Sequence, residues 1–543
     1  MVQQTADATA GAETKGIRKG AGTRSYIAMD PDTVTEPERG RLTLIRQFLL
    51  APRELEGFPG WDHLEVGRGF HLYTHPELPV HGATEGETRL TLIGYSIDPF
   101  HPEWNDREIL QHLAAGMEKG RDPHDATEAL GGRWILLVHR PGTSLLVPDC
   151  CGLRQAYYCR DPGGNLYVCS QPGLMERIPG IRLGDGLLVD RFGPDLPPIL
   201  PSGEMQVFRL LPNHSLDLAS GRSTRFWPRT PFSEISLEDG VARSGPIFRQ
   251  ELAAVADRYD LACTLTAGFD SRIMLSALRG REKQIRFYVN RHIEHPEHYR
   301  DQVIPAQIAA DLGLDFRIID TRHPADDWFR EIFLSNVSYF IEGVGGENRA
   351  PELAAVYRSD VKGRMGVSGV VSELTRAYFS TGKSNIPYPK SITASSLTGL
   401  NVWWGKRNRV DVGALEAWLQ DAREVERNFN IRLLDLFYWE HLLGRILATM
   451  LLEYDLVSEH CAPYNNRLLL STILQVPVCY RSHPDYLFHY RVIESLWPDL
   501  LHYPINPTSL WERLRLFGIA WATRTGTRGL GSRIFNLVNR YRY

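Results

Sequence analysis

The order of apolar patterns predicts an α+β N-terminal sandwich followed by an α/β parallel-sheet domain with a helical C-terminal region. Three observations carry this. From about residue 41 to 228, short apolar alternations such as RLTLIGYSI and RWILLVHR are broken by Gly and Pro turns, the pattern of half-buried strands. From 240 onward, the short β-branched runs LACTLT, QIRFYVN, DFRIID and GRMGVSG alternate with helical stretches, which argues for a parallel sheet covered by helices. After 410 the periodicity is almost wholly helical.

Composition sets the limits. At 543 residues the chain exceeds one core, and its 43% hydrophobic and 23% charged residues are those of a globular protein. A net charge of -4 gives no long-range attraction to nucleic acid. Seven cysteines, odd in number and without paired Cys-x-x-Cys spacing, indicate neither a disulfide framework nor a zinc site and fit a reducing cytoplasm. Residues 1–40, rich in Ala, Thr, Gly and charge, read as a disordered arm without a signal-peptide core. No stretch reaches the ~18 apolar residues of a membrane span. Residues 511–543 mix Arg with Leu, Ile, Phe and Trp. They read as a basic amphipathic tail that packs on its own domain or docks on a membrane surface or partner.

Between these ends, NDREILQHLAAGMEKG reads as the helix that interrupts the strands, opened by an Asn/Asp cap and closed by Gly. Turn residues and prolines in NHSLDLASGRSTRFWPRTP place a boundary near 228–240, dividing a domain over 41–230 from one over 240–510. The stretch LACTLTAGFDSRIMLSAL, 261–278, passes from strand to helix through small and polar residues. Such a loop lies at the carboxyl end of a parallel strand, where ligands bind, and the helix N-terminus suits phosphate. Asp270 does not itself bind phosphate, so a magnesium ion bridging phosphate oxygens is its natural partner. The loop is no Walker A motif, lacking that spacing and any lysine.

LTAGFDSR resembles the SGGxDS pyrophosphate loop of the PP-loop ATP pyrophosphatases, specifically that of the asparagine synthetase family, with Thr266 and Ala267 replacing the Ser and first Gly. Further stretches follow in the family's order. RDQVIPAQIAADLGLDFRIID carries Asp301, Ala306, Ala309 and Gly313; VSGVVSELTRAYF keeps Ser368, Gly369, Glu373 and Tyr378 of an SGxGxDExxxGY pattern; PYNN stands at a PFxD-like turn. GGRWILLVHRPGTSLLVPDCCGLRQAYYC is similar to the core of class II glutamine amidotransferase domains. The chain reads Met1, Val2, Gln3, with no cysteine before Cys150, whereas a working amidotransferase uses an N-terminal cysteine. The resemblance thus implies an inactive amidotransferase-like domain, as in β-lactam synthetases and lasso-peptide cyclases.

What the resemblance implies is an ATP-dependent, AMP-forming amide ligase. It would adenylate a carboxylate of a small molecule or peptide and pass the acyl group to an amine, in one substrate or two. ATP would lie against Leu265, Thr266, Ala267, Gly268, Phe269, Asp270, Ser271, Val289, Ser368 and Gly369. Magnesium would be held by Asp270 and Glu373. Glu440 would deprotonate the amine, and Tyr378 and Arg491 complete the catalytic set. Ser372 stands where an Asp is expected and Val370 where a Glu or Tyr is frequent. The downstream lysine of the family is not evident in HPDYLFHYRVIESLWPDLLHYPINP, which offers His489 and Arg491. These departures keep two alternatives open, a nucleotide-binding scaffold without catalysis and amidation with free ammonia. His292, His295 and His298 are spaced by three, but Pro296 argues for a loop over a metal site, and GVGGEN, 343–348, resembles a phosphate nest.

Overall fold

The computed structural model describes residues 35–183, 189–194, 205–291, 296–337, 349–379, 391–400 and 409–507. The expected tail at 511–543, GVGGEN, His292 and His295 lie outside the described residues, as do the side chain of His298 and the arm up to residue 34.

Apolar strands covered on both faces build the N-terminal sandwich. Two antiparallel six-stranded sheets face one another. In the first, the strands Phe208–Arg209, Tyr157–Arg160, Leu166–Cys169, Phe48–Ala51, Phe70–Thr74 and Asp62–Gly67 lie side by side. In the second, the order is Ser223–Arg225, His214–Asp217, Thr143–Pro148, Gly131–Arg140, Thr88–Ile97 and Val80–Glu85. Phe48 and Leu50 of the first sheet meet Ile93, Ile135 and Leu137 of the second in the core between them. The intervening residues are apolar too, because both outer faces are covered. Leu92, Trp134, Leu136 and Val138 lie under the helix Asp106–Glu118, and Leu49 and Ala51 pack with Leu55, Phe58, Leu174 and Met175.

The helix forms where its cap predicts. The Asn105 side chain accepts from the backbone N–H of Arg107 and Glu108, and the Glu108 carboxylate accepts from Asn105 N–H at 2.8 Å. Ile109, Leu110, Leu113 and Met117 form its buried stripe, each stabilising the contact by about 1.5–3 kcal/mol. The last residues of the arm expected to be disordered over 1–40 are ordered, since Glu36–Leu42 is helical. Glu38 accepts from the Tyr357 hydroxyl at 2.6 Å and lies 3.4 Å from Lys362, while Leu42 is buried.

The second half is doubly wound. Its five-stranded sheet is all parallel, in the order Asp315–Asp320, Arg286–Arg291, Leu261–Thr264, Met365–Val367, His460–Cys461. Alternate residues of Leu261–Thr264 face opposite layers. Leu261 and Cys263 join the helices Leu237–Arg258, Phe269–Ala277 and Leu487–Leu496, whereas Ala262 joins Asp327–Val337, Arg349–Tyr357 and Ala448–Tyr454. The late region is helical as expected, with Tyr438–Leu447 wound as π-helix, apart from the two-residue strand His460–Cys461. Pro296 opens the helix Pro296–Leu312, a position where its missing N–H costs nothing, so the loop expected there is a helix start. Among the described residues no helix is long and apolar enough to cross a membrane.

The two halves share one core. Tyr95, Cys150, Cys151, Leu153 and Trp227 pack with Trp439 and Leu443. Arg133, 2% exposed, donates to both carboxylate oxygens of Asp455, at 2.6 and 2.9 Å, and to Glu459 at 2.8 Å, and Arg154 takes the other oxygen of Glu459 at 2.8 Å. Gly132, at φ +99°, fits where a Cβ would stand 2.4 Å from the Tyr95 carbonyl oxygen.

Candidate functional site

Strand order in the parallel sheet reverses between Leu261–Thr264 and Met365–Val367, and the loops leaving the carboxyl ends of these neighbours are Leu265–Gly268 and Ser368–Val371. This is the switch point at which open parallel sheets bind ligands. The loops touch. A Cβ added to Gly369 would stand 2.4 Å from Asp270 Cβ and 3.1 Å from its backbone, so only glycine lets them close.

The first loop is wired to itself. Thr266 N–H donates to Ser271 Oγ at 3.0 Å, Gly268 N–H to Thr266 Oγ1 at 3.2 Å, and Ser271 Oγ to the Thr266 carbonyl at 3.1 Å. Ala267 N–H donates to Asp301 Oδ1 at 2.9 Å, and Asn506 N–H caps the Ala267 carbonyl at 2.9 Å. Thr266 and Ser271 therefore shape the loop. Leu265, Ala267, Phe269 and Val289, expected against the nucleotide, turn their side chains into the core, with Phe269 packed on Tyr486, His489 and Tyr490. Any contact they make with a ligand is through backbone. The helix Phe269–Ala277 presents its N-terminus beside Asp270.

The second loop delivers a residue that the sequence reading missed. Arg376, 9% exposed, places one nitrogen, Nη2, 2.9 Å from Asp270 Oδ2, 3.3 Å from Glu373 Oε1 and 3.2 Å from Ser372 Oγ. Burial opposes its charge, but attraction to Asp270 and Glu373 outweighs this and raises its pKa. Val371 at φ +82° and Ala377 at φ +50° flank it. A β-branched residue in the left-handed region costs about 1–3 kcal/mol and persists only where the surroundings enforce it. Tyr438 and Tyr464 stay phenolic, pushed up by burial and then by the nearby carboxylates. Among the described residues, Asp270 Oδ1, Ser368 Oγ, Arg376 Nε and Tyr464 Oη are buried without a hydrogen-bond partner. Buried polar atoms without partners are costly, and three of these four atoms can donate.

Asp270 and Glu373, expected to hold magnesium, are thus brought together, but as they stand they do not fit the ion. Magnesium demands near-octahedral oxygen ligands at about 2.0–2.1 Å, and here a guanidinium nitrogen lies between the two carboxylates. No group of three or more His, Cys, Asp or Glu among the described residues is placed to hold a metal.

Glu440 lies elsewhere. It is fully buried, and its carboxylate accepts from both Arg225 Nη atoms, Asn213 Nδ2 at 3.0 Å and Trp418 Nε1 at 2.7 Å. Burial alone would raise its pKa, yet the Arg225 guanidinium, with a smaller part from Trp418, holds it down to about 2. A carboxylate so committed is no proton acceptor for an ammonium, and none of its partners belongs to the switch-point loops; the expected general base is a joint between sandwich and helices. Arg491 is about half exposed and pairs with Glu494 at 2.6 Å. Tyr378 meets Phe379 edge-to-face and Tyr438 at a tilt, beside the carboxylate cluster.

No protein-family model matches the chain, and no curated protein matches it. Among solved structures, the allosteric regulatory enzyme of purine biosynthesis is similar at 11% identity and a TM-score of 0.22, over 42% of this chain and 57% of that one. Glutamine phosphoribosylpyrophosphate amidotransferase from B. subtilis, complexed with ADP and GMP, is similar at 10% identity and a TM-score of 0.22, over 72% of this chain and 85% of its own. This chain therefore spans little more than half the length of the first. Likenesses at this TM-score carry no argument about chemistry.

Proposed function

We propose that this chain binds an adenine nucleotide at the switch point and uses it to activate a carboxylate for amide formation. The observation that carries the reading is the meeting of the two loops, Gly369 against Asp270, with Ser368 Oγ, Arg376 Nε and Tyr464 Oη unpartnered among the described residues, beside a helix N-terminus. Such donors suit a phosphate-bearing ligand.

In this reaction a substrate carboxylate oxygen attacks the α-phosphorus of ATP, the bond to the bridging oxygen breaks, and pyrophosphate leaves. An amine nitrogen then attacks the acyl carbon, AMP departs with the carboxylate oxygen, and the nitrogen gives its proton to the departing AMP phosphate. The loop backbone and helix N-terminus orient the phosphates, Arg376 balances part of the local negative charge, and the tyrosine-lined wall keeps water from the mixed anhydride. The nucleophile enters as the free amine, because Glu440 is committed to Arg225. A small molecule or peptide bearing both groups, closing on itself, is one substrate class within this reading.

A second reading, a nucleotide-binding scaffold without catalysis, is favoured by the same commitment of Glu440 and by the pairing of Arg376 with both loop carboxylates. ATP–pyrophosphate exchange against pooled carboxylates separates the two. Exchange in the wild type that Asp270→Asn lowers by about 10²–10³-fold, the scale of one strong electrostatic contact, because Asp270 holds the Arg376 guanidinium in place, supports the ligase. ATP binding without exchange selects the scaffold, and no ATP binding sinks both.

A further inference from the structure

We propose that Arg376 is the resident cation of the switch-point site, standing in for a divalent metal, so that phosphate groups bind there without magnesium. This rests on the nucleotide-binding reading for its ligand, though not for its geometry. Nη2 serves Asp270 Oδ2 at 2.9 Å and Glu373 Oε1 at 3.3 Å from one point between them, where an ion shared by the two loops would lie. The position is enforced. Residues in the left-handed region flank the arginine on both sides, Val371 at φ +82° and Ala377 at φ +50°, and Ser372 Oγ accepts from the same nitrogen at 3.2 Å.

A metal entering this position would have to expel the guanidinium. The guanidinium is 9% exposed, and its displacement would leave a buried charge without its partners. The substitution changes the chemistry. Asp270, Glu373 and Arg376 sum to one formal negative charge, whereas the two carboxylates with a magnesium ion would sum to zero. A guanidinium also contributes directional N–H donors in place of exchangeable water ligands. Arg376 Nε and Ser368 Oγ, buried and unpartnered among the described residues, are donors left over for an anionic ligand.

Two measurements on the full chain test this. Manganese titration followed by electron paramagnetic resonance should show no Asp270-dependent site in the wild type; Arg376→Gln should gain one, and Arg376→Gln combined with Asp270→Asn should lose it. ATP titration calorimetry should give wild-type affinities within about threefold of each other in EDTA and in magnesium. Arg376→Gln should bind about tenfold or more weakly in EDTA, the scale of one charge-assisted hydrogen bond, and recover in magnesium. Arg376→Lys, which keeps the charge, should still exclude manganese and serves where Arg376→Gln fails to fold. An Asp270-dependent manganese site in the wild type, the lack of one in folded Arg376→Gln, or wild-type ATP binding that needs magnesium overturns the proposal. Failure to bind ATP in either buffer sinks the nucleotide reading, while the manganese titration still decides whether Arg376 fills the cation position.

Discussion

Replacing Glu440 by Gln keeps the side chain's shape and removes its charge, which separates a structural carboxylate from a catalytic one. Holding that carboxyl at about 2 instead of the ordinary 4.5 corresponds to about 3 kcal/mol of folded-state stability. An independent route gives a similar size, since removing one partner of a buried ion pair costs about 3–5 kcal/mol. Here the lower end applies, because Arg225 keeps a second carboxylate, Asp421, 2.6 Å from its Nε. The sign follows from the depressed pKa: the wild-type advantage is fully present above pH 4.5 and is lost as pH falls through about 2. Urea unfolding followed by tryptophan fluorescence checks this, with an expected fall in midpoint of about 1 M at pH 7 for a urea dependence near 3 kcal/mol per M. The difference should shrink steadily below pH 4. A variant as stable as wild type at pH 7, or a deficit independent of pH, would refute the argument. Unaltered stability with a lost amide-forming step would return Glu440 to the general-base role.

Burial raises the Glu251 carboxyl to about 8, opposed by the Asn466 amide that donates to it, so the folded protein holds a proton between pH 4.5 and 8 that the unfolded chain has released. Glu251 should therefore add a fall in wild-type stability with rising pH of up to about 1.4 kcal/mol per pH unit across that window, levelling off above 8, and Glu251→Gln should lack this part while keeping the slope that Glu453, raised by burial to about 7, gives both proteins; equal slopes in urea unfolding between pH 7 and 9 would count against it. Gly369→Ala should part the switch-point loops and lower ATP affinity tenfold or more with little change in unfolding midpoint. Wild-type binding by this variant would mean that the loops' contact does not build the site.

The sandwich was legible because its signal is local. Apolar runs such as Phe48–Ala51, Thr88–Ile97 and Gly131–Arg140, and one helix with a complete cap, declare themselves within a few positions of sequence. The loop at 265–271 was legible for the same reason. Long-range pairings were not. Arg376 in SELTRAYF reads as a solvated turn charge until the fold brings Asp270, 106 residues away, against it. Glu440 reads as catalytic from its place in a late helix, while the partner that fixes its chemistry, Arg225, lies 215 residues earlier. The strand His460–Cys461 has two residues and no period to read; it exists because Met365–Val367 offers it a buried edge. The helix Glu36–Leu42 was hidden by its charges, whose partners Tyr357 and Lys362 belong to the other half of the chain.

The same long-range contacts explain why the sandwich and the switch point belong to one chain. The last strand of the parallel sheet is gripped from the sandwich side: Tyr95 Oη donates to the His460 carbonyl at 2.8 Å, and Arg133 and Arg154 hold Asp455 and Glu459 just before it. The PYNN turn follows. Asn465 accepts from Cys151 N–H at 2.8 Å and donates to the Gly132 carbonyl at 2.6 Å, and Asn466 donates to the Ala129 carbonyl at 2.7 Å while capping the helix Arg467–Gln475. Tyr464, between these anchors and the preceding strand, lies in the electrostatic reach of Asp270, Arg376 and Glu373. A buried ion cluster adds little net stability once its desolvation is counted, but breaking it exposes the full cost of an unpaired charge. The sandwich thus fixes the position of Tyr464 through contacts that tolerate no partial loss, and it holds one wall of the switch point whether or not it has any chemistry of its own.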